Sequence, residues 1–118
     1  MAAQFDVLGI GNAIVDVIAR TEDDFLVANQ LAKGSMRLID EVEAERLYQT
    51  MGPATVISGG SAANTTVGVA SLGGKASFIG KVRHDSLGKA FAHDIRAIGV
   101  SFDTAHAEQG PATARSFI

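Results

Sequence analysis

Short apolar runs alternate along the chain with longer segments whose apolar residues recur at helical spacing. Runs bounded by glycine, proline or polar residues predict strands, and a repeat of three to four residues predicts amphipathic helices. The predicted strands are residues 5–10, 14–18, 36–39, 54–58, 76–79, 100–103 and 114–118. The predicted helices are residues 21–31, 40–48, 61–72 and 86–98. This alternation indicates an α/β fold with a mainly parallel sheet, in which we expect strands 5–10, 54–58 and 76–79 to share one sheet.

Polar residues at the starts of two helices support this assignment. Thr21 precedes three carboxylates, which predicts a hydroxyl cap and acidic side chains at the positive end of the helix dipole. Asp40, with Glu43 three residues later, is a typical helix start. His93 should lie on the solvent face of the last helix. The residues expected to face the core are Ala63, Val67, Ala70 and Leu72 in one helix and Leu87, Phe91, Ile95 and Ile98 in the last.

The composition narrows the class of protein. The chain has 118 residues, of which 47% are hydrophobic, and its net charge of −3 with scattered basic residues argues against a nucleic-acid surface. It contains no cysteine, so we expect a reducing, cytoplasmic setting without disulfides. The N-terminus lacks the basic region of a secretory signal, and residues 47–74 are too polar to span a membrane. These features indicate one compact globular domain.

Polar residues follow the first predicted strand, where open α/β sheets bind ligands. Gly9 and Gly11 resemble part of a dinucleotide-binding motif, but Ile14 occupies the position of its third glycine, so a tight turn is the better interpretation. Asn12 and Asp16 could together bind adjacent hydroxyl groups of a sugar. They could equally form the ordinary hydrogen bonds of a turn.

A second candidate site is the Gly59-Gly60 pair, which lies between a predicted strand and a predicted helix. Residues without a Cβ allow a ligand to lie against the backbone, and Asn64 in the first turns of the helix could point toward the same space. No lysine follows the glycines, so a triphosphate loop is disfavoured and an uncharged polar ligand fits better. The alternative is a tightly packed turn in which Asn64 is a local cap. The three histidines have no spacing typical of metal ligands, and we predict no metal site.

Together these motifs resemble the ribokinase-like (PfkB) carbohydrate kinases, and the resemblance covers essentially the whole chain. It rests on Asn12 with Asp16, on the segment GGSAAN that ends at Asn64, and on the segment SLGGKASFIGKVRHDSLGKAF that follows. The segment KGSMRLID is typical of the bacterial adenosine-kinase-like and sugar-kinase branch. The chain has Arg83 and His84 where the family usually has glycine or alanine and then aspartate, which leaves the identity of the substrate open.

The resemblance implies a doubly wound, mainly parallel sheet flanked by helices, with a small β-sheet lid from residues near 14–20, 35–39 and 112–118. It also implies ATP- and Mg²⁺-dependent phosphorylation of a hydroxymethyl group on a sugar or nucleoside, and a possible homodimer through the lid. The residues expected to bind the substrate are Asn12, Asp16, Gly59, Gly60 and Asn64, with Ile14, Met36 and Phe117 as candidate walls of the pocket.

The same resemblance places the catalytic aspartate, the anion hole and most ATP contacts in a segment that these residues do not contain. We therefore expect residues 1–118 to be the substrate-binding portion of one kinase domain and to be inactive alone. The alternative from another class is a non-catalytic module that binds a sugar or nucleoside and serves regulation.

Overall fold

A computed structural model describes residues 3–118, which form five strands and four helices in the order β-β-α-α-β-α-β-α-β. The strands are β1 (Val7–Ile10), β2 (Ile14–Ala19), β3 (Ala54–Gly59), β4 (Ala76–Ile79) and β5 (Ala114–Phe117). The helices are α1 (Asp23–Ala28), α2 (Glu41–Thr50), α3 (Ser61–Ser71) and α4 (Ser86–Ala97). No helix within this part of the chain is long and apolar enough to cross a bilayer.

The core forms around a parallel pair of strands, β1 and β4, in which Val7 lies opposite Ala76 and Ile10 opposite Ile79. Helices α3 and α4 contribute to the buried cluster on one side of this pair. Its centre is the aromatic group Phe78, Phe91 and Phe102, whose ring centroids are 5.3–6.0 Å apart. These large side chains are almost completely buried, so they supply much of the hydrophobic stabilisation of the domain.

A second sheet has the strand order β3-β2-β5. Strand β2 is antiparallel to β3, with Ile14 opposite Gly59, and parallel to β5, with Asp16 opposite Ser116. Successive side chains in a strand point to opposite faces, so Val15 and Val17 lie on one face and Asp16 on the other. Both valines are fully buried, whereas Asp16 is half-buried. The face of the second sheet that carries Asp16 is therefore partly open to solvent.

Three of the predicted strand assignments are wrong: those of residues 54–58, 36–39 and 100–103. Strand 54–58 was expected in the same parallel sheet as 5–10 and 76–79, but β3 pairs antiparallel with β2 in the second sheet. Residues 36–39 form no strand, and Met36 is 80% exposed. An apolar run identifies a segment that can form a strand, but a strand requires a hydrogen-bonding partner, and residues 36–39 have none in the described part of the chain.

The other elements agree with the sequence apart from their ends. Asp40 caps α2 as predicted, because its Oδ1 accepts a hydrogen bond of 2.8 Å from the backbone N–H of Glu43. Thr21 is not a cap: α1 starts after Glu22 without a side-chain cap and ends at Ala28. The core prediction holds for the centre of each helix but is wrong for the last residue of each set: Leu72 is 91% exposed just after α3, and Ile98 is 45% exposed just after α4. Residues 100–103 do not form the predicted strand and make a single parallel bridge, between Ser101 and Ser77.

Candidate functional site

The loop between β1 and β2 meets the turn between β3 and α3. Asn12 lies in that loop, and Gly60 is the N-cap residue of α3 with a φ of 97°, a conformation that favours glycine. A Cβ on Gly60 would lie 2.7 Å from the backbone carbonyl oxygen of Asn12, too close for any side chain. The second glycine of the pair is therefore required for the close approach of these two backbone segments.

Asp16 lies on β2 beside the first glycine of the pair. A Cβ on Gly59 would overlap the carboxylate of Asp16, so the missing side chain leaves room for this acidic group. Ser116 on β5 donates a hydrogen bond of 2.7 Å from Oγ to Oδ1 of Asp16. This contact fixes the orientation of the carboxylate and leaves Oδ2 without a hydrogen-bond donor among residues 3–118. An oriented acceptor of this kind can bind a hydroxyl group of a ligand.

The surroundings of Asp16 on its own face of the sheet are largely apolar. Ile14 is its half-buried neighbour on β2, and Ile57, directly opposite Asp16 on β3, is 47% exposed. A carboxylate among exposed aliphatic side chains suits a ligand with a hydroxylated part and a flat apolar part. The structure thus brings together Asn12, Asp16, Gly59 and Gly60 at one place.

Asn64 occupies a different environment. Its backbone N–H donates to the carbonyl of Gly60 at 2.8 Å, which places it in the first turns of α3. Its side chain lines a groove of about 560 Å³ between β3, α3 and α4, whose wall includes Ser58 and Asp94. Neither Asn12 nor Asp16 belongs to that wall.

The three candidate wall residues are dispersed. Ile14 shares the face of Asp16, whereas Met36 lies in a segment without regular structure. Phe117 points to the opposite face of the second sheet, because it follows Ser116 by one residue. There its ring centroid is 6.4 Å from that of Tyr48 in α2. Of the three, the structure places Ile14 alone beside the carboxylate.

The sequence profile of the pfkB family carbohydrate kinases matches residues 5–118. This chain belongs to the pfkB family of carbohydrate kinases. The family predicted from the motifs is therefore confirmed, and the solved structures below confirm the ribokinase-like α/β fold.

Two solved structures of related kinases are similar in both sequence and fold. An adenosine kinase from Sinorhizobium meliloti is 59% identical with a TM-score of 0.87, covering 98% of this chain and 36% of that chain. A probable sugar kinase protein from Rhizobium etli CFN 42 is 56% identical with a TM-score of 0.88, covering 99% of this chain and 36% of that one. A probable chloroplastic fructokinase-6 from Arabidopsis thaliana is 40% identical over 60 residues, which are 51% of this chain and 16% of the relative. The chain spans well under half the length of each of these proteins.

Asp85 in this pfkB-family chain is a structural residue whose contacts the sequence did not indicate. Its Oδ1 accepts from the backbone N–H of Gly88, which caps α4, and also from Oγ1 of Thr113, both at 2.7 Å. Its Oδ2 accepts from the backbone N–H of Thr113 at 2.9 Å. Partial burial opposes ionisation, but the hydrogen bonds from Thr113 and Gly88 outweigh it and lower the pKa of the Asp85 carboxyl. Asp85 therefore joins the start of α4 to the residue that precedes β5.

Sequence spacing also missed a cluster of metal-ligating side chains in this family member. His84 and His106 lie far apart in the sequence, yet their ring centroids are 4.3 Å apart. Glu108 contacts both imidazoles. Within residues 3–118 this is the one group of three side chains with the geometry to hold a metal ion. It shares no residue with the surroundings of Asp16.

The Asp16 surroundings do not fit a nucleoside triphosphate. The turn at Gly59 and Gly60 continues into Ser61 and Ala62, so it brings no cationic side chain to bind phosphate. The arrangement offers an oriented carboxylate, a group that can accept a hydrogen bond from a hydroxyl.

Proposed function

We propose that the full-length protein is an ATP- and Mg²⁺-dependent kinase that phosphorylates a hydroxymethyl group of a nucleoside or sugar, and that this chain binds the hydroxyl groups of that substrate. The proposal is supported by membership of the pfkB family over residues 5–118. The observation that carries it is the Asp16 carboxylate, oriented by Ser116 and accommodated by the absence of a side chain at Gly59.

In this proposal Asp16 holds the substrate in position for reaction. A carboxylate that accepts a hydroxyl hydrogen bond in a partly apolar site forms a charge-assisted bond, stronger than the bond that a neutral acceptor would form. Since Ser116 already fixes the carboxylate, less conformational entropy is lost when the substrate binds. The substrate hydroxymethyl group would then be presented in one orientation to the phosphoryl donor, which lowers the entropic part of the barrier.

The other proposed substrate contacts are supported by their positions. Asn12 is an exposed residue in the loop whose backbone packs against Gly60, beside the glycine that accommodates the Asp16 carboxylate. Asn64 lines a groove that also includes Ile57, the residue opposite Asp16 on β3, so a substrate that extends from Asp16 past Ile57 into this groove would approach it. ATP would supply the phosphoryl group and Mg²⁺ would neutralise its charge, and we assign neither to residues of this chain.

Adenosine is the substrate that we test first. The structure with 59% identity is an adenosine kinase, and its match covers 98% of this chain. The half-buried Ile14 and the exposed Ile57 beside Asp16 would provide an apolar wall for a purine base. A fructose or ribose substrate would use the same carboxylate but would leave this wall uncovered.

A cytoplasmic location and a homodimer through the second sheet are also part of the proposal. The chain has no cysteine, as expected for a protein of a reducing compartment. The Asp16 face of the second sheet exposes Ile18 and Ile57, which a second copy could cover in part. Analytical ultracentrifugation of the full-length protein tests the dimer.

The experiment that tests the proposed function is a substrate panel with the full-length protein. ATP consumption is followed with adenosine, ribose and fructose in the presence of Mg²⁺, and binding of each compound is measured by calorimetry. We expect turnover with at least one compound, and the highest kcat/KM with adenosine. Binding without turnover of any of them would overturn the kinase proposal and favour the non-catalytic binding module.

A further inference from the structure

A parallel backbone bridge between Arg83 and Ala107 brings two distant loop segments side by side. The backbone N–H of His84 donates to the carbonyl of Ala107, and that of Ala107 donates to the carbonyl of Val82, each at 2.8 Å. Because side chains alternate along extended segments, the residues that flank the bridge project to the face opposite Arg83 and Ala107. These flanking residues are His84 on one segment and His106 and Glu108 on the other.

The three side chains converge at hydrogen-bonding distance. His106 Nε2 lies 2.7 Å from one carboxylate oxygen of Glu108, and His84 Nδ1 lies 3.4 Å from the other. One ligand atom from each residue can be chosen so that all lie within 4.8 Å of one another. All three side chains are exposed, so an ion could reach them directly from solvent.

We propose that His84, His106 and Glu108 form a binding site for a divalent transition-metal ion of the Zn²⁺ class. Zinc–nitrogen and zinc–oxygen bonds are about 2.0–2.2 Å long, so neighbouring ligands of a tetrahedral ion lie about 3.3–3.5 Å apart. Because the backbone bridge already holds the two segments side by side, rotation of the three side chains is enough to bring their ligand atoms to this separation. Solvent would complete the coordination.

The type of metal follows from the ligands. Two imidazoles and one carboxylate favour Zn²⁺, Ni²⁺ or Cu²⁺ over Mg²⁺, which prefers oxygen ligands and keeps its water. The adjacent groove is lined by Arg83, Lys89 and other basic residues, whose charge would weaken binding of any cation. We therefore expect the two imidazoles to make the site selective for Zn²⁺, Ni²⁺ or Cu²⁺, and we expect Mg²⁺ to bind far less tightly.

Calorimetric titration of the full-length protein with ZnCl₂ tests the proposal. The variants are His84→Ala, His106→Ala and the double variant, and the matched control is His93→Ala, because His93 is an exposed histidine that lines the same groove but is not one of the three proposed ligands. We expect the wild type and His93→Ala to bind one more equivalent of Zn²⁺ than the double variant. Each single substitution should weaken the binding of this additional Zn²⁺ ion at least about tenfold, since removal of a residue that only hydrogen-bonds to a metal ligand already has an effect of that size. MgCl₂ should not compete.

A second measurement locates the ion independently of stability. Substoichiometric Ni²⁺ should broaden the imidazole proton resonances of His84 and His106 before that of His93, because a paramagnetic ion relaxes nearby protons most strongly. Equal Zn²⁺ stoichiometry and affinity in the wild type and the double variant would overturn the proposal. So would equal broadening of all three histidines. Either result would mean that the cluster is a set of surface hydrogen bonds.

Discussion

Replacement of Asp16 by asparagine separates its role in substrate binding from a role in local structure. Asparagine has nearly the same volume, and its amide oxygen can still accept the hydrogen bond from Ser116 that the structure shows at 2.7 Å. Its amide nitrogen cannot accept a hydroxyl hydrogen bond where Oδ2 of the aspartate could. In the proposed binding mode, the substitution therefore removes one charge-assisted bond to the substrate and changes little else.

The expected magnitude follows from the bond that is lost. A hydrogen bond to a charged group is worth about 1.5–3 kcal/mol, and about 1.4 kcal/mol corresponds to a factor of ten. In the full-length enzyme kcat/KM should fall about 10- to 150-fold for Asp16→Asn. For Asp16→Ala, kcat/KM should fall further, mainly through a higher KM, because this substitution removes both carboxylate oxygens and leaves Ser116 without its acceptor. Asn64→Ala should change KM in the same direction by a smaller factor.

The assay is steady-state phosphorylation of adenosine, or of whichever compound the panel identifies, at saturating ATP. Thermal unfolding of each variant is measured in parallel, and Asp103→Asn is the control because Asp103 is an exposed carboxylate. We expect Asp16→Asn to unfold within a few degrees of the wild type. If kcat/KM stays within about twofold of the wild type while the Tm falls, Asp16 has only a structural role, and the reasoning is refuted.

Three further substitutions test the site and the fold. Gly59→Ala should weaken substrate binding, because the new methyl group would displace the Asp16 carboxylate. The control Gly52→Ala should not weaken it, because Gly52 has open space around it, and equal substrate affinities of the two variants would contradict the prediction. Phe91→Ala should lower the free energy of unfolding by about 3–5 kcal/mol, since Phe91 is fully buried in the aromatic core, and chemical denaturation measures the loss. The pKa of the Asp85 carboxyl is lower in the folded state than its ordinary value of about 3.9. The ionised carboxylate therefore stabilises the folded state fully at a pH above that ordinary value, and this stabilisation is lost as the pH falls through the lower folded pKa. Wild-type stability should therefore fall more steeply below about pH 4 than that of Asp85→Asn, and parallel curves would show that the Asp85 contacts contribute nothing.

Several elements could be predicted from the sequence because their causes are local. The cap at Asp40 depends on a backbone N–H three residues away, and the buried positions of α4 depend on helical periodicity. The glycine pair at residues 59–60 and the acidic residue at Asp16 could be assigned to one site through their resemblance to a kinase family. Their contact in the structure agrees with that assignment, and their role in substrate binding stays a prediction.

The tertiary structure alone decided how distant segments meet. Strand β3 joins β2 and not the parallel pair, and Ser116 reaches a carboxylate 100 residues away. His84 meets His106 and Glu108 because a backbone bridge aligns their segments. The physical reason is that periodicity and capping describe interactions within a few residues of each other. The pairing of strands and side chains across the chain depends on which surfaces become buried together when the whole domain folds.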